Sequence, residues 1–480
     1  MFRWSGLLMI LVPVWLLLAG CAVNPATGRN EFMLISEQEE LQLGQETDAA
    51  VVAEYGIYPD AALQNYLNSV ARPLARESHR PGLDWQFKVM DSPVVNAFAA
   101  PGGYVFVTRG LLAAVSDEAE LAGVLAHEIG HVTARHSARN YSQALLAGIG
   151  VQLGSALAGD YGQAVGTLLE AGTGMLFLKY SRDDERQADA LGVEYAAKGG
   201  YDTNRMADFF ATLQRQEQLN GGSGGLPEWF STHPSPVDRE AAVRSQTREW
   251  QGRLPGRTFR VERDAYLAKI DGLVYGDDPR QGFHEGDTFY VPRDQVQFRV
   301  PQGWTLQREA GRVQMVNPQR SAAIVFAVEN GDAGQRAREF AVKMQAKVEE
   351  FTERPVNGLP ARRLVSTVAD GKTRTHIVSY FIQKGPDVFS FHGLAAEADF
   401  PRLAAPLELS ALSFTAITDR DKLSRAPKKV VIRTVGKGTT LDALLTEEKV
   451  DRALWPRVAW MNEMNVADRL QPGQRVKLVK

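Results

Sequence analysis

A mainly α-helical domain with a small sheet, then an α+β domain, then a small strand–helix–helix–strand module is the multidomain architecture that these 480 residues predict. Three observations predict it. Helix signals, two of them capping boxes, recur from Ser36 to about Trp250 with only short strand-like runs between them. From Thr288 the pattern changes to runs such as VQFRV, AAIVFAV and THIVSYFI, which read as strands. After a charged linker at 419–428, residues 429–480 read as strand, helix, helix, strand.

Residues 1–20 read as a signal peptide. Arg3 supplies a basic start, and Leu7 to Leu18 is an apolar run too short to span a bilayer comfortably. Leu18-Ala19-Gly20-Cys21 resembles a bacterial lipobox, which makes Cys21 the expected lipidation site and residues 21–35 a lipidated tether. Cys21 is the chain's one cysteine, so no intrachain disulfide is expected. The next residue is Ala22 rather than aspartate, which implies an outer-membrane lipoprotein facing the periplasm. The net charge of −3, from 54 basic and 57 acidic residues, gives no sign of a nucleic-acid partner.

The first domain spans 36–252. Ser36 and Glu39 form a capping box that opens a helix to about Glu54. A second helix is expected from about Asp60 to Val70, stopping near Pro73. Trp85 to Met90 reads as a strand, and Asn96–Arg109 as a strand, a Pro-Gly-Gly turn and a second strand.

Next comes SDEAELAGVLAHEIGHVTARHSAR, residues 116–139. Ser116 is the expected N-cap, and Asp117, Glu118 and Glu120 place negative charge at the positive end of a helix. His127 and His131 lie one turn apart and point the same way, a spacing that lets two imidazoles share one zinc ion. Glu128 is placed beside them to accept a proton from the attacking water. His136, nine residues from His127, falls about half a helical circumference away and reads as a surface or supporting histidine.

Residues 140–159 carry no charge and are read as helices packed near a cleft, or as a partner surface. Ser181 and Asp184 form a second capping box, opening a helix that ends at Gly199-Gly200. Glu185 and Asp189 share a face of it. Glu185 is the candidate third zinc ligand, and Asp189 the candidate partner that orients a ligand histidine. A Gly-rich run at 220–225 precedes Trp229 and Ser231-Thr232-His233-Pro234. A loop hinged on such a run can hold His233 in two positions.

Together, H-E-I-G-H, the later S-R-x-x-E-x-x-A-D, Asn96 to Gly103, Ser231 to Pro234 with Arg239, and Asn24 to Arg29 resemble the HtpX/BepA-like family of membrane-associated gluzincin metallopeptidases. The resemblance implies one Zn2+ per chain held by His127, His131 and Glu185, with Glu128, Asp189, His233 and Arg239 in catalysis. His233 is read as a plug on the metal, and His233 or Arg239 as the oxyanion donor. The resemblance places Asn96, Ala97, Phe98 and Ala99 beside the cleft as an edge for extended substrate. The implied function is endopeptidase cleavage of unfolded or misassembled outer-membrane and periplasmic proteins. The alternative is a largely latent protease acting as a chaperone or assembly factor.

Residues 253–287 read as a connector. In the α+β domain, 288–418, helices are expected over Gln335–Phe351 and about Phe400–Leu412, with a hairpin turn at Asp370-Gly371. His376 and His392 read as structural, and the domain resembles PsbP-like domains. Residues 429–480 resemble a LysM module, which implies contact with peptidoglycan. No tetratricopeptide repeat is visible.

Overall fold

In a computed structural model the residues described are 21–145, 179–219, 229, 233–234, 238–309, 312–370 and 373–480. The expected signal peptide, most of the 140–159 segment and the Gly-rich run at 220–225 lie outside them. The chain forms two compact units, one of Met1–Val52, Gly56–Gly276 and Lys428–Lys480, the other of Ala53–Tyr55 and Asp277–Pro427. No helix among the described residues is long and apolar enough to cross a membrane.

The first unit opens with a small hairpin, β1 (Cys21–Val23) and β2 (Asn30–Phe32). Helix α1 (Glu37–Tyr55) has the expected Ser36/Glu39 capping box. Helix α2 (Ala61–Arg76) runs past Pro73, where the sequence predicts a stop. Its last turn buries Leu74 and Ala75, and that burial outweighs the hydrogen bond lost at the proline.

Strands β3 (Gln86–Met90), β4 (Ala97–Ala100) and β5 (Tyr104–Thr108) form one sheet in the order β3-β5-β4, so among the described residues β4 is paired on one side only. The Thr108 amide donates to Asn96 O at 3.0 Å, and alternation then turns the N–H and C=O groups of Ala97 and Ala99 away from β5.

Helix α3 (Arg109–Ala114) leads into α4 (Glu118–Thr133), the H-E-x-x-H helix. Its N-cap is Asp117, not Ser116. The Asp117 carboxylate accepts from the Glu120 amide at 2.9 Å, while the Ser116 amide donates to Glu120 Oε2 at 2.7 Å. A carboxylate is the stronger acceptor and adds charge at the dipole's positive end. α4 is buried on every side from Ala119 to Thr133. Helices α5 (Arg182–Lys198), α6 (Asn204–Leu219), α7 (Arg239–Arg253) and α8 (Arg263–Ile270) complete this part, α5 with its expected Ser181/Asp184 box.

Glycines set the closeness of α4 and α5. A Cβ on Gly130 would stand 3.1 Å from Ala188 O, and one on Gly192 would stand 3.1 Å from the His127 amide nitrogen. The two helices that carry the candidate ligands therefore touch backbone to backbone.

The second unit holds a seven-stranded antiparallel sheet and a smaller four-stranded one. The strands are β6 (Phe283–Glu285), β7 (Thr288–Val291), β8 (Val296–Arg299), β9 (Thr305–Glu309), β10 (Arg312–Val316), β11 (Ala322–Asn330), β12 (Lys347–Glu353), β13 (Ala361–Asp370), β14 (Thr373–Lys384), β15 (Asp387–Ala396) and β16 (Thr415–Ala416). Every strand run read from the sequence is present. The helix expected over Gln335–Phe351 divides into α9 (Ala333–Lys343) and the exposed strand β12. Pairing with β13, from Lys347–Thr367 to Glu353–Arg362, overrides the helical propensity of this Glu- and Lys-containing run. Helix α10 (Phe400–Leu412) stands as read. His392 stacks on Phe340 at 4.1 Å and lies 2.9 Å from Ser379 Oγ, and His376 stacks on Phe400, so both are packing residues.

The C-terminal segment is strand β17 (Val430–Thr434), helices α11 (Leu441–Glu447) and α12 (Trp455–Met461), and strand β18 (Arg475–Val479) paired to β17. The sequence separates it as an independent module, and reads 253–287 as a connector. In the structure α8, Leu273, Val274 and the C-terminal segment share the core of the first unit. The chain leaves at Gly276 and returns at Lys428, where the Val430 amide donates to Leu273 O at 2.8 Å and the Tyr275 amide to Lys428 O at 2.8 Å. Trp460 Nε1 donates to Thr212 O at 2.7 Å. No sequence pattern marks such a return, because each half looks complete alone.

Candidate metal centre

Helix α4 carries His127 and His131, α5 carries Glu185, and a turn at residue 233 brings in His233. One ligand atom from each lies within 4.8 Å of the others, and all four residues are buried. His131 Nε2 is 3.0 Å from His127 Nε2 and 3.4 Å from Glu185 Oε1. His233 Nδ1 is 3.0 Å from Glu185 Oε1 and 3.4 Å from His127 Nε2. Three imidazoles and a carboxylate converging in the buried interior is the donor set that zinc takes. This is the metal-ligating group found among the described residues.

Each donor is held from behind. His127 Nδ1 lies 2.9 Å from Asp189 Oδ1, a contact that puts the hydrogen on Nδ1 and leaves Nε2 bare. Asp189 in turn accepts from Arg239 Nη2 at 2.7 Å. Arg239 Nη1 stands 3.2 Å from Glu185 Oε2, and its guanidinium lies over the Phe210 ring at 3.8 Å. His131 stacks on Tyr180, centroids 3.8 Å apart, and His233 stacks on Trp229 at 4.4 Å. His136 is fully buried, with Nδ1 2.9 Å from His131 Nδ1. The surface alternative for His136 therefore falls. The helix breaks at Arg135, whose φ is +58°, and the chain turns His136 back toward His131. The half-circumference argument assumed an unbroken helix.

Glu128 is fully buried, and among the described residues neither carboxylate oxygen has a hydrogen-bond partner, while His233 Nε2 stands 3.6 Å from its Oε1. Burial pushes its carboxyl up to about 7, with nearby Glu185 adding to the rise and His233 and Arg239 opposing it. That is the range of a group poised to take and return a proton. Burial drives His127 well below its ordinary value and pushes His131 and His136 down to about 3, so these rings are neutral. Burial raises Asp189 to about 6 against the pull of Arg239. Burial also works against a charged Glu185, but His233 and Arg239 more than offset it and hold that carboxyl well below the usual range.

The structure thus brings together every residue singled out from α4, α5, His233 and Arg239. The edge-strand residues are linked to them by Tyr180, whose hydroxyl lies 2.9 Å from Ser137 Oγ and 3.5 Å from Ala99 O. Sequence reasoning missed Tyr180, Trp229, Phe210 and Gln187. Tyr180 precedes the Ser181 cap and Trp229 sits one turn before His233, but an aromatic residue at such a place carries no chemical signature of its own.

The fold and the donor set define a metallopeptidase domain of the H-E-x-x-H class. Residues 61–247 match the model of Peptidase family M48. It is 33% identical over 223 residues to a putative beta-barrel assembly-enhancing protease of Vibrio cholerae, covering 45% of this chain and 46% of that one. It is 29% identical over 257 residues to the beta-barrel assembly-enhancing protease of Escherichia coli K12, covering 52% and 51%. It is 32% identical over 221 residues to the mitochondrial metalloendopeptidase OMA1 of Schizosaccharomyces pombe, covering 45% and 63%. The chain spans about half the length of the beta-barrel assembly-enhancing proteases it matches. Among solved structures, the cyanobacterial PsbP of Synechocystis sp. PCC 6803 aligns at 16% identity over 27% of this chain and 91% of that one, with a TM-score of 0.24, too low to assign a fold.

Proposed function

We propose that this protein is a zinc-dependent endopeptidase of the bacterial cell envelope that cleaves unfolded or misassembled outer-membrane and periplasmic proteins. The observation that carries the reading is the buried His127–His131–Glu185 donor group with the buried Glu128 carboxylate beside it. The relatives named for beta-barrel assembly support the substrate class. Cys21 as a lipid anchor in the outer membrane and residues 429–480 as a peptidoglycan contact belong to the same proposal. Their support is the lipobox-like run and the strand–helix–helix–strand order.

His127 Nε2, His131 Nε2 and a Glu185 oxygen would hold the zinc ion. When bound, zinc polarises a carbonyl oxygen and makes a water acidic enough to deprotonate near neutral pH. Glu128 accepts the proton of the attacking water and returns it to the leaving amine. Asp189 fixes His127, and Arg239 fixes Asp189 and Glu185. With Nη2 engaged by Asp189, Arg239 serves the carboxylates here rather than an oxyanion. Extended substrate pairs with the Asn96, Ala97, Phe98 and Ala99 edge, supported by the outward backbone groups of Ala97 and Ala99. His233 is the plug: with Nδ1 among the donors it fills the position that substrate and water need, leaving the peptidase latent while it stays there.

Substrate trapping tests the reading. Glu128→Gln, expressed in a living envelope, keeps the ligands and removes the base. Enrichment of unassembled outer-membrane proteins on this variant supports the proposal. An unenriched sample of envelope proteins, with no cleavage of them by the wild type, contradicts it.

A further inference from the structure

We propose that His136 and Gln187 are positioning residues: they dictate which nitrogen of His131 is bare, and so hold that ring ready for a metal ion. The inference rests on His131 being a ligand, as proposed above.

His131 Nε2 faces the donor group, 3.4 Å from Glu185 Oε1. A ligating nitrogen carries no hydrogen, so a neutral His131 must hold its hydrogen on Nδ1. That atom lies 2.9 Å from His136 Nδ1. One hydrogen fits between two nitrogens, so His136 Nδ1 accepts it and keeps its own hydrogen on Nε2. His136 Nε2 lies 2.9 Å from Gln187 Oε1, which accepts in turn. Asp184 Oδ1, 3.7 Å from the same nitrogen, can only accept and so opposes the reverse arrangement. If the Gln187 amide turned over, its NH2 would donate, each hydrogen would move along by one atom, and His131 Nε2 would carry a hydrogen where the metal belongs.

The two ligand histidines are therefore backed differently, His127 by the Asp189 carboxylate and His131 by a neutral relay. Gln187 sits two residues after Glu185 and two before Asp189 on α5, so three residues of one helix serve the site. The left-handed Arg135, with Nε held 2.7 Å from Glu40 Oε2, supplies the turn that lets His136 reach back.

The test is zinc affinity of the purified full-length protein by chelator competition. Gln187→Met keeps the length and loses the acceptor oxygen. It is expected to weaken zinc by about 10–100-fold and to shift the visible absorption of the Co2+-loaded protein, with its melting temperature unchanged without metal. Gln187→Glu can only accept, and is expected to hold zinc close to wild-type affinity with the wild-type Co2+ spectrum. Gln187→Leu is read in place of the methionine variant if that one does not fold. Wild-type affinity and spectrum in Gln187→Met, or equal losses in the methionine and glutamate variants, would overturn the relay alone. Absence of zinc from the wild type would overturn the metallopeptidase reading and the relay with it.

Discussion

Lys477 Nζ donates to Val115 O at 2.9 Å, and to Ala113 O and Ala114 O at 3.0 and 3.1 Å. The last strand of the chain thus holds the carbonyl end of α3, two residues before the cap of the H-E-x-x-H helix. A cation there meets the negative end of α3. A second tie is Arg205, which reaches Asp117 at 2.6 Å, Glu120 at 2.8 Å and Glu463 at 3.0 Å. The C-terminal segment is built into the unit that carries the donor group.

Burial pulls Lys477 down to about 7, with Arg263 adding to the fall. Between about pH 7 and the ordinary lysine range near 10 the folded chain therefore binds fewer protons than the unfolded chain. Stability from this residue rises with pH across that window and is reduced below it. Lys477→Met is expected to remove that rise, read as the difference between the two proteins in urea midpoint from pH 6.5 to 10. Parallel curves would show that Lys477 does not titrate there.

The site was largely legible in the sequence, and its surroundings were not. The shared faces of His127 with His131 and of Glu185 with Asp189 follow from one-turn spacing and caps, because helix geometry is local, while joining the two pairs in one site took the family resemblance. His136 was half legible, since the left-handed residue at 135 breaks the count. The return of residues 428–480 to the first unit was illegible, because it depends on pairing between Leu273–Tyr275 and Lys428–Val430, far apart in the chain. Strand β12 was misread for the same reason: its partner β13 decides its state.

His131→Ala and Glu185→Ala should each abolish stoichiometric zinc, measured by atomic emission on purified protein. Each removes one of three ligands and leaves a buried polar site unfilled. Full occupancy in Glu185→Ala would take Glu185 out of the coordination set.

His233→Ala should raise basal cleavage of an unfolded protein substrate, because the plug's ring leaves the donor group. An oxyanion role instead lowers the rate by roughly 10²–10³ with zinc retained. The two roles move the rate in opposite directions, and an unchanged rate with unchanged zinc affinity would leave His233 a packing residue.

Cys21→Ser should prevent lipidation and leave the protein in the soluble periplasmic fraction, read by membrane fractionation and mass spectrometry of the N-terminus. Normal processing with outer-membrane fractionation would contradict the anchor.

The most direct measurement sets zinc content beside cleavage in the same two preparations, wild type and Glu128→Gln, with an unfolded outer-membrane β-barrel protein as substrate. Both are expected to hold one zinc per chain, while cleavage falls by about 10²–10⁴ in the variant. Cleavage by Glu128→Gln at the wild-type rate, or a wild type that holds no zinc, would contradict the account.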